Sequence, residues 1–355
     1  MTVKVAIIGV GNCASALVQG ISYYRNAVED ETVPGLLHVN MGGYHVKDVE
    51  FVAAFDVDSR KVGKDLSEAI FSPPNNTRTF SDVPHQGVTV KKGPVMDGLG
   101  KYLKGFVTES KAQPVDVEKE LKDSGAEVVV NYLPVGSEQA VRWYAEQVLN
   151  AGCAFVNCMP VFIASDKAWQ KKFQDKGLPV AGDDVMSQIG ATVLHKTLAK
   201  LLVDRGVEVS ESYQLNIGGD TDFLNMLEES RLISKRISKT SAVQAMIPYE
   251  VPLRIGPSDY VPFLDNKKIC YLYLKGKYFG GTPVQIDVKL DVWDSPNSGG
   301  VVIDVIRASK IALDRGISGP LISPSAFAFK HPPEQMPYEV AKRRFEEFLE
   351  GKKER

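Results

Sequence analysis

The run Val3–Ile8 is apolar at every position but Lys4 and rich in β-branched residues, the pattern of a parallel strand buried on both faces. Gly9-Val10-Gly11-Asn12-Cys13-Ala14 follows at once and leads into residues 15–24, where Leu17, Ile21 and Tyr24 recur at helical spacing. Strand, glycine turn and helix in this order open a dinucleotide-binding βαβ unit. Residues 27–48, with Asn40-Met41-Gly42-Gly43, lack a clear period and read as an inserted loop before the strand 49–55, which ends in Asp56. A polar stretch from about 72 to 100 carries Pro73-Pro74-Asn75-Asn76 and Lys91-Lys92-Gly93-Pro94, the composition of a surface excursion or lid. Helical spacing resumes near Val115, and 126–132 is another buried-type strand. Ser137 is the predicted N-cap of a helix over 138–149. Strands at 154–158 and 177–181 and a helix from about 188 to 204 complete an alternation that argues for a doubly wound parallel sheet.

The pattern changes after Arg205-Gly206. Segments 208–216, 268–274 and 284–292 alternate or carry β-branched and aromatic residues, with one helical stretch, 223–238, among them. They predict a second, α+β unit with a mainly antiparallel sheet and helices on one face. Asn297-Ser298-Gly299-Gly300 precedes a predicted helix over 301–314, and 338–355 reads as a charged terminal helix whose Lys342-Arg343-Arg344 run belongs to a solvated face. The predicted division is a Rossmann-type dinucleotide-binding domain from residues 1–200 and 300–355, and a second domain at 201–299.

Composition narrows the function classes. With 42 Lys+Arg against 44 Asp+Glu among 355 residues, the net charge of −2 gives no overall electrostatic case for nucleic acid or an anionic membrane. No apolar run reaches the roughly 20 residues that span a bilayer, and Met1–Gly9 has no basic leader pattern. Four cysteines, Cys13, Cys153, Cys158 and Cys270, form no CxxC pair, which points to a reducing cytoplasm rather than a disulfide framework or structural zinc.

Chemistry concentrates in three places. In the G-x-G-x-x-A turn, Gly9 permits the tight bend, Gly11 lets backbone approach a pyrophosphate and Ala14 allows close helix packing, while the amides of Asn12 and Cys13 open the helix. Asp56 suits the adenosine ribose hydroxyls and so favours NAD; Arg60 nearby keeps the 2′-phosphorylated cofactor open. Lys235 and Lys239 are four residues apart, so on a helix both ammonium groups project from one face, either as an anion site or as two solvated lysines. Asn216-Ile217-Gly218-Gly219-Asp220-Thr221-Asp222 reads equally as a polyol or cation site and as a structural turn. Asp183-Asp184, Asp294 and Lys330 form a dispersed third group. Lys330 follows an aromatic, small-residue run in which an ammonium with a lowered pKa could move protons, or in which a lysine simply snorkels. His195 reads as a packed residue.

Gly182-Asp183-Asp184, Gln214–Gly219, Asp222–Leu227, Ser234-Lys235 to Ser238-Lys239, Trp293–Ser298 and the Lys330 segment, in this order, closely resemble the myo-inositol-1-phosphate synthase family, in its short bacterial and archaeal form. The resemblance runs from the glycine turn to about Phe348. It implies an NAD-dependent isomerase, usually a homotetramer, that cyclises D-glucose 6-phosphate by oxidation at C5, enolisation, aldol closure onto C1 and re-reduction. By the same resemblance Lys235, Lys239 and Lys330 are catalytic, Asp294 orients lysines or a divalent or monovalent cation, and Asn216 and Asp222 meet the polyol or nicotinamide region. Asn131, Gly136, Asp183 and Asp184 line the cofactor, and Ser295, Asn297 or Gly299 receives the substrate phosphate. A further lysine falls near 268–275, with Lys275 favoured. Two other classes compete, a dehydrogenase of a small phosphorylated substrate, which ends with NADH as product, and a non-catalytic NAD sensor, which does not need the three lysines together.

Overall fold

The computed structural model describes residues 1–29, 31–353 and 355. Six strands, β1 (Val3–Ile8), β2 (Val49–Asp56), β3 (Val90–Lys92), β4 (Val128–Asn131), β5 (Ala154–Asn157) and β6 (Pro179–Gly182), pair in parallel in the order β6-β5-β4-β1-β2-β3. Every residue of β4, β5 and β6 is buried, so their unbroken apolar character reflects cover on both faces. Along β1 the pleat sends Val5 and Ile7 into one core and Ala6 and Ile8 into the other. The strand order turns about β1, with β2 on one side and β4 on the other, and the crevice beyond the carboxyl ends at such a switch point is where a ligand binds.

Four longer strands, β7 (Glu208–Gly218), β8 (Leu253–Tyr260), β9 (Lys267–Lys277) and β10 (Pro283–Trp293), form a second sheet in the order β8-β7-β9-β10. It is mixed: β7-β9 and β9-β10 are antiparallel, but β8 runs parallel to β7. Sequence reading missed β8 because Gly256 at φ +126°, Pro257 and a register shift between Ile255 and Ser258 break its alternation. The chain then returns to the first sheet, where Gly319–Pro320 (β11) adds beside β6.

Five helices place the site: α1 (Asn12–Tyr23), α2 (Glu138–Ala151), α3 (Ala191–Asp204), α4 (Ile233–Gln244) and α5 (Asp294–Asp314). The predicted helix 223–238 is three pieces, Thr221–Asn225, a turn at Glu229–Arg231 and α4. The break lets Phe223, Met226 and Leu232 fold into one small core with Val135. Helix α5 starts at Asp294, ahead of the expected 301, and continues through Gly299-Gly300. A Cβ at Gly300 would collide with the carbonyl oxygen of Gly35, so this glycine serves a close approach rather than a helix boundary. Ser137 makes no side-chain cap on α2; the Asp97 carboxylate does that work from a distant loop, accepting the N–H groups of Gln139 and Ala140 at 3.0 and 2.9 Å. The polar stretch 72–100 contains β3 and is drawn onto the cleft, where Asn75 donates to the Val10 carbonyl at 3.1 Å. Among the described residues no helix is long and apolar enough to cross a membrane.

Candidate active site

One large cleft runs along the glycine turn and reaches α4, β9 and the start of α5. At the turn, Gly9 has φ +89° and a Cβ there would sit 2.7 Å from the Tyr132 carbonyl oxygen, so only glycine fits. Gly11 lines the cleft, and none of the described residues lies within 4 Å of where its Cβ would project. Gly11 is the N-cap of α1 and offers no side-chain acceptor, which leaves the first-turn amides of α1 for an anion. Ala14 is fully buried behind them. The Asn12 side chain is occupied otherwise: its Oδ1 accepts from the amides of Asn76 and Thr77 at 2.8 and 3.0 Å, tying the 72–77 segment to the turn. Cys13 faces the cleft, its thiol 3.8 Å from the Ser295 hydroxyl and pushed up to about 12 by burial, so it is a thiol and no nucleophile.

Asp56 lines the cleft with its carboxylate held by the amides of Val10, Val57 and Asp58 at 2.8, 2.7 and 2.8 Å. Arg60 is not available to a 2′-phosphate: its Nε and Nη2 grip the buried Asp58 at 3.0 and 2.6 Å. Three expected cofactor residues lie behind the cleft wall. Asn131 is buried and donates to Asn157 at 2.8 Å, and Asn157 donates to Asp183 at 2.7 Å. Asp183 is fully buried and also accepts from the amides of Ile163, Ala164 and Ser165, each at 3.0 Å, so it pins the loop after β5. Gly136, at φ +85°, is needed because a Cβ would press on the Arg231 side chain at 2.7 Å.

Four lysines meet in the same cleft: Lys235 and Lys239 from α4, Lys268 from β9 and Lys330 from the loop after the helix Ile322–Ala328. Three are paired with carboxylates, Lys235 with Asp222 at 2.7 Å, Lys330 with Asp184 at 2.8 Å and Lys268 with Asp294 at 3.3 Å. Asp184 also accepts from the Ser238 hydroxyl at 2.6 Å. Burial works against the charge on Lys235 and on Lys268, but Asp222 and Asp294 respectively outweigh it and raise both above the ordinary lysine range. Asp184, in turn, is held below the carboxylate range: burial opposes, and the ammonium groups of Lys330 and Lys235 prevail. Among the described residues Lys239 makes no ion pair; burial first, then Lys235, Lys268 and Lys330, lower it to about 7. The lysine lowered toward neutrality is thus Lys239; Lys330 is one half of an ion pair. Asp220, which the sequence reading left in a turn, is buried beside Asp222 and Asp294 and rises to about 7 for those reasons.

Lys275 is a correction. It lies at the far end of β9, half-exposed, with Glu211 at 3.2 Å. Strand parity held the answer: Cys270, Leu272 and Leu274 are buried, and Lys268 shares their phase whereas Lys275 does not. Asn216 does not line the cleft; it is buried on β7, where its Oδ1 accepts from Gln214 at 3.0 Å. His195 is packed there, 2.7 Å from the Ser212 hydroxyl, and burial lowers it to about 4. Ser295 lines the cleft at the first turn of α5. Asn297 does not; its carboxamide bridges the backbone of Ile189 at 3.0 and 2.8 Å and clamps the 185–190 loop.

A Rossmann-type sheet with an open glycine turn, joined to a lysine-rich pocket, defines a dinucleotide-dependent enzyme of small anionic substrates. A sequence profile described as myo-inositol-1-phosphate synthase matches residues 190–295. The chain is 55% identical over 356 residues to inositol-3-phosphate synthase of Mycolicibacterium smegmatis, covering 98% of each chain. It is 54% identical over 357 residues to that of Corynebacterium glutamicum, again covering 98% of each. Its fold is similar to a myo-inositol-1-phosphate synthase-related protein of Thermotoga maritima, with a TM-score of 0.82, 27% identity and 99% of each chain covered. It is also similar to inositol-3-phosphate synthase of Caenorhabditis elegans, with a TM-score of 0.79, 15% identity, and 98% of this chain and 85% of that one covered. The chain belongs to the myo-inositol-1-phosphate synthase family, whose members are isomerases.

Proposed function

We propose that the protein converts D-glucose 6-phosphate to 1L-myo-inositol 1-phosphate with NAD as a recycled cofactor. The observation that carries this reading is the convergence of Lys235, Lys239, Lys268 and Lys330 in the cleft that holds the glycine turn. Bound NAD supplies a hydride acceptor for C5 and returns the hydride at the end, so no net redox change results. The unobstructed face of Gly11 and the first-turn amides of α1 fit its pyrophosphate, the carboxylate of Asp56 fits its ribose, and the Asp58–Arg60 pair disfavours a 2′-phosphate.

Between those events negative charge develops on the C5 oxygen as C6 loses its proton, then on the C1 oxygen as the ring closes. Ammonium groups already fixed by Asp222, Asp184 and Asp294 stabilise both without reorganising. Among the described residues Lys239 has no carboxylate partner, and it receives the phosphate dianion or a developing oxyanion. Asp222 and Asp294 orient lysines, and Ser295 offers its hydroxyl at the start of α5. Because each of Asp184, Asp222 and Asp294 already holds a lysine, and no group of three His, Cys, Asp or Glu among the described residues is arranged around a metal position, no step is assigned to a divalent or monovalent cation.

The partly exposed aromatic and aliphatic face of the second sheet, with Tyr213, Leu215 and Tyr271 each about 40% accessible, supports a homotetramer, which light scattering on the purified protein tests. Its four free cysteines suit the cytoplasm. The functional reading is tested by incubating the protein with glucose 6-phosphate and substoichiometric NAD. Inositol phosphate by phosphorus NMR, in excess over NAD, is the expected result; NADH equal to substrate consumed, with no cyclised product, identifies a dehydrogenase and refutes the reading.

A further inference from the structure

Asn266 is fully buried and bonds to two segments that hold site carboxylates, 220–222 and 294–295. Its Nδ2 donates to Asp220 Oδ2 at 2.6 Å. Its Oδ1 accepts from the Ser295 amide at 3.1 Å, and its main-chain carbonyl accepts from the Asp294 amide at 2.9 Å. Asp220 uses its other oxygen to cap the short helix behind it, accepting from the amides of Asp222 and Phe223 at 3.0 and 3.1 Å. Lys268 follows Asn266 by two residues on β9. The residue before it, Asp265, has φ +51°, and a Cβ at Gly219 would sit 2.6 Å from the Asp265 amide, so the 219 and 265 backbones lie in contact.

We propose that Asn266 is a positioning residue for the cyclisation: by joining Asp220 to the first turn of α5 it fixes the spacing between the Asp222–Lys235 and Asp294–Lys268 ion pairs. Neither pair is held by its own element alone. Asp222 is fixed by the cap that Asp220 makes, Asp294 by the carbonyl of Asn266, and the 2.6 Å bond is the side-chain link between them. The inference rests on the functional reading given above.

The hydrogen-bond polarity supplies the test. Asp220→Asn alone sets an amide donor against the donor of Asn266, or else gives up the helix cap to turn its oxygen inward. Asn266→Asp alone replaces the amide donor by a second carboxyl group, so the contact survives only while the pair shares a proton. The reciprocal exchange, Asp220→Asn with Asn266→Asp, restores every bond: the amide now at 220 donates to the carboxylate at 266, its oxygen keeps the cap, and the carboxylate still accepts from Ser295. Each single variant, and Asn266→Ala, is expected to lose about a hundredfold in kcat, the size of effect a displacement near 1 Å produces, with KM and NAD affinity changed less than about threefold. The exchange is expected to recover kcat to within about tenfold of wild type. Wild-type kcat in Asn266→Ala, or a folded exchange variant no better than the singles, overturns the inference, as does an exchange variant that fails to fold despite keeping every bond. Wild-type protein that makes no inositol phosphate overturns the functional reading, and this inference with it.

Discussion

Lys239 should take up a proton as the sugar phosphate binds. Its amine is buried, lies among three other lysines and has a pKa of about 7 in place of 10.5. At pH 8 the amine is therefore about 90% unprotonated. A phosphate dianion placed among these lysines reverses the cause of the depression and draws the pKa back toward the ordinary value, so binding at pH 8 takes up about 0.9 proton. The sign follows: the protonated enzyme is the better binder, and affinity falls as pH rises, about eightfold between pH 7.5 and 8.5. The substrate phosphate, with a second pKa near 6, is already a dianion across that range. The assay is titration calorimetry with glucitol 6-phosphate, which lacks the C1 aldehyde, in buffers of differing ionisation enthalpy. Observed enthalpy should vary with buffer at pH 8, and Lys239→Met should abolish most of the dependence. Asp220, near 7 as well, is the competing source. Uptake near zero at pH 8, or the same uptake in Lys239→Met, refutes the role given to this lysine.

Lys268→Ala should lose about a hundredfold to a thousandfold in kcat by removing a preorganised ammonium, while Lys275→Ala stays within about twofold of wild type; equal loss in both refutes the parity argument. Lys239→Ala should abolish cyclisation yet leave NAD affinity, by tryptophan fluorescence quenching, within about twofold, because the residue belongs to the lysine pocket and not to the glycine turn. Asp58→Asn releases the Arg60 guanidinium and should raise NADP affinity relative to NAD by about tenfold or more in a direct binding titration; an unchanged ratio shows that the pair does not set cofactor choice. Asp97→Ala removes the acceptor for two amides at the start of α2 and should cost about 1 kcal/mol in urea unfolding, whereas Ser137→Ala should cost little.

The first half of the chain was readable because its signals are local. An unbroken apolar run, a glycine turn and a helix specify a βαβ opening within two dozen residues, and Gly9, Gly11 and Ala14 act where they stand, through φ and bulk. Asn131, Gly136 and Asp183 sat in the expected segments but serve neighbouring side chains, backbone or packing instead of the cleft wall, since a segment's position does not fix what its side chain bonds. The reading of 223–238 as one helix failed for a related reason: burial of Phe223, Met226 and Leu232 against Val135 outweighed local periodicity.

By itself the sequence determined a Rossmann-type opening, a second sheet-based unit and a set of charged residues whose order matches one family. Tertiary structure decided which of those charges meet. Lys268 replaced Lys275 through the phase of a strand, Asn297 left the site to clamp a loop, and Asp220 entered it, tied from behind to Asn266. It also decided their pairing: Lys235, Lys239, Lys268 and Lys330 are the same chemical group in the chain, and only burial and the placement of Asp184, Asp222 and Asp294 leave Lys239, among the described residues, without a carboxylate partner. A pKa depends on what surrounds a charge within a few ångströms, and residues 184, 222, 239, 268 and 330 become neighbours only when the chain has folded.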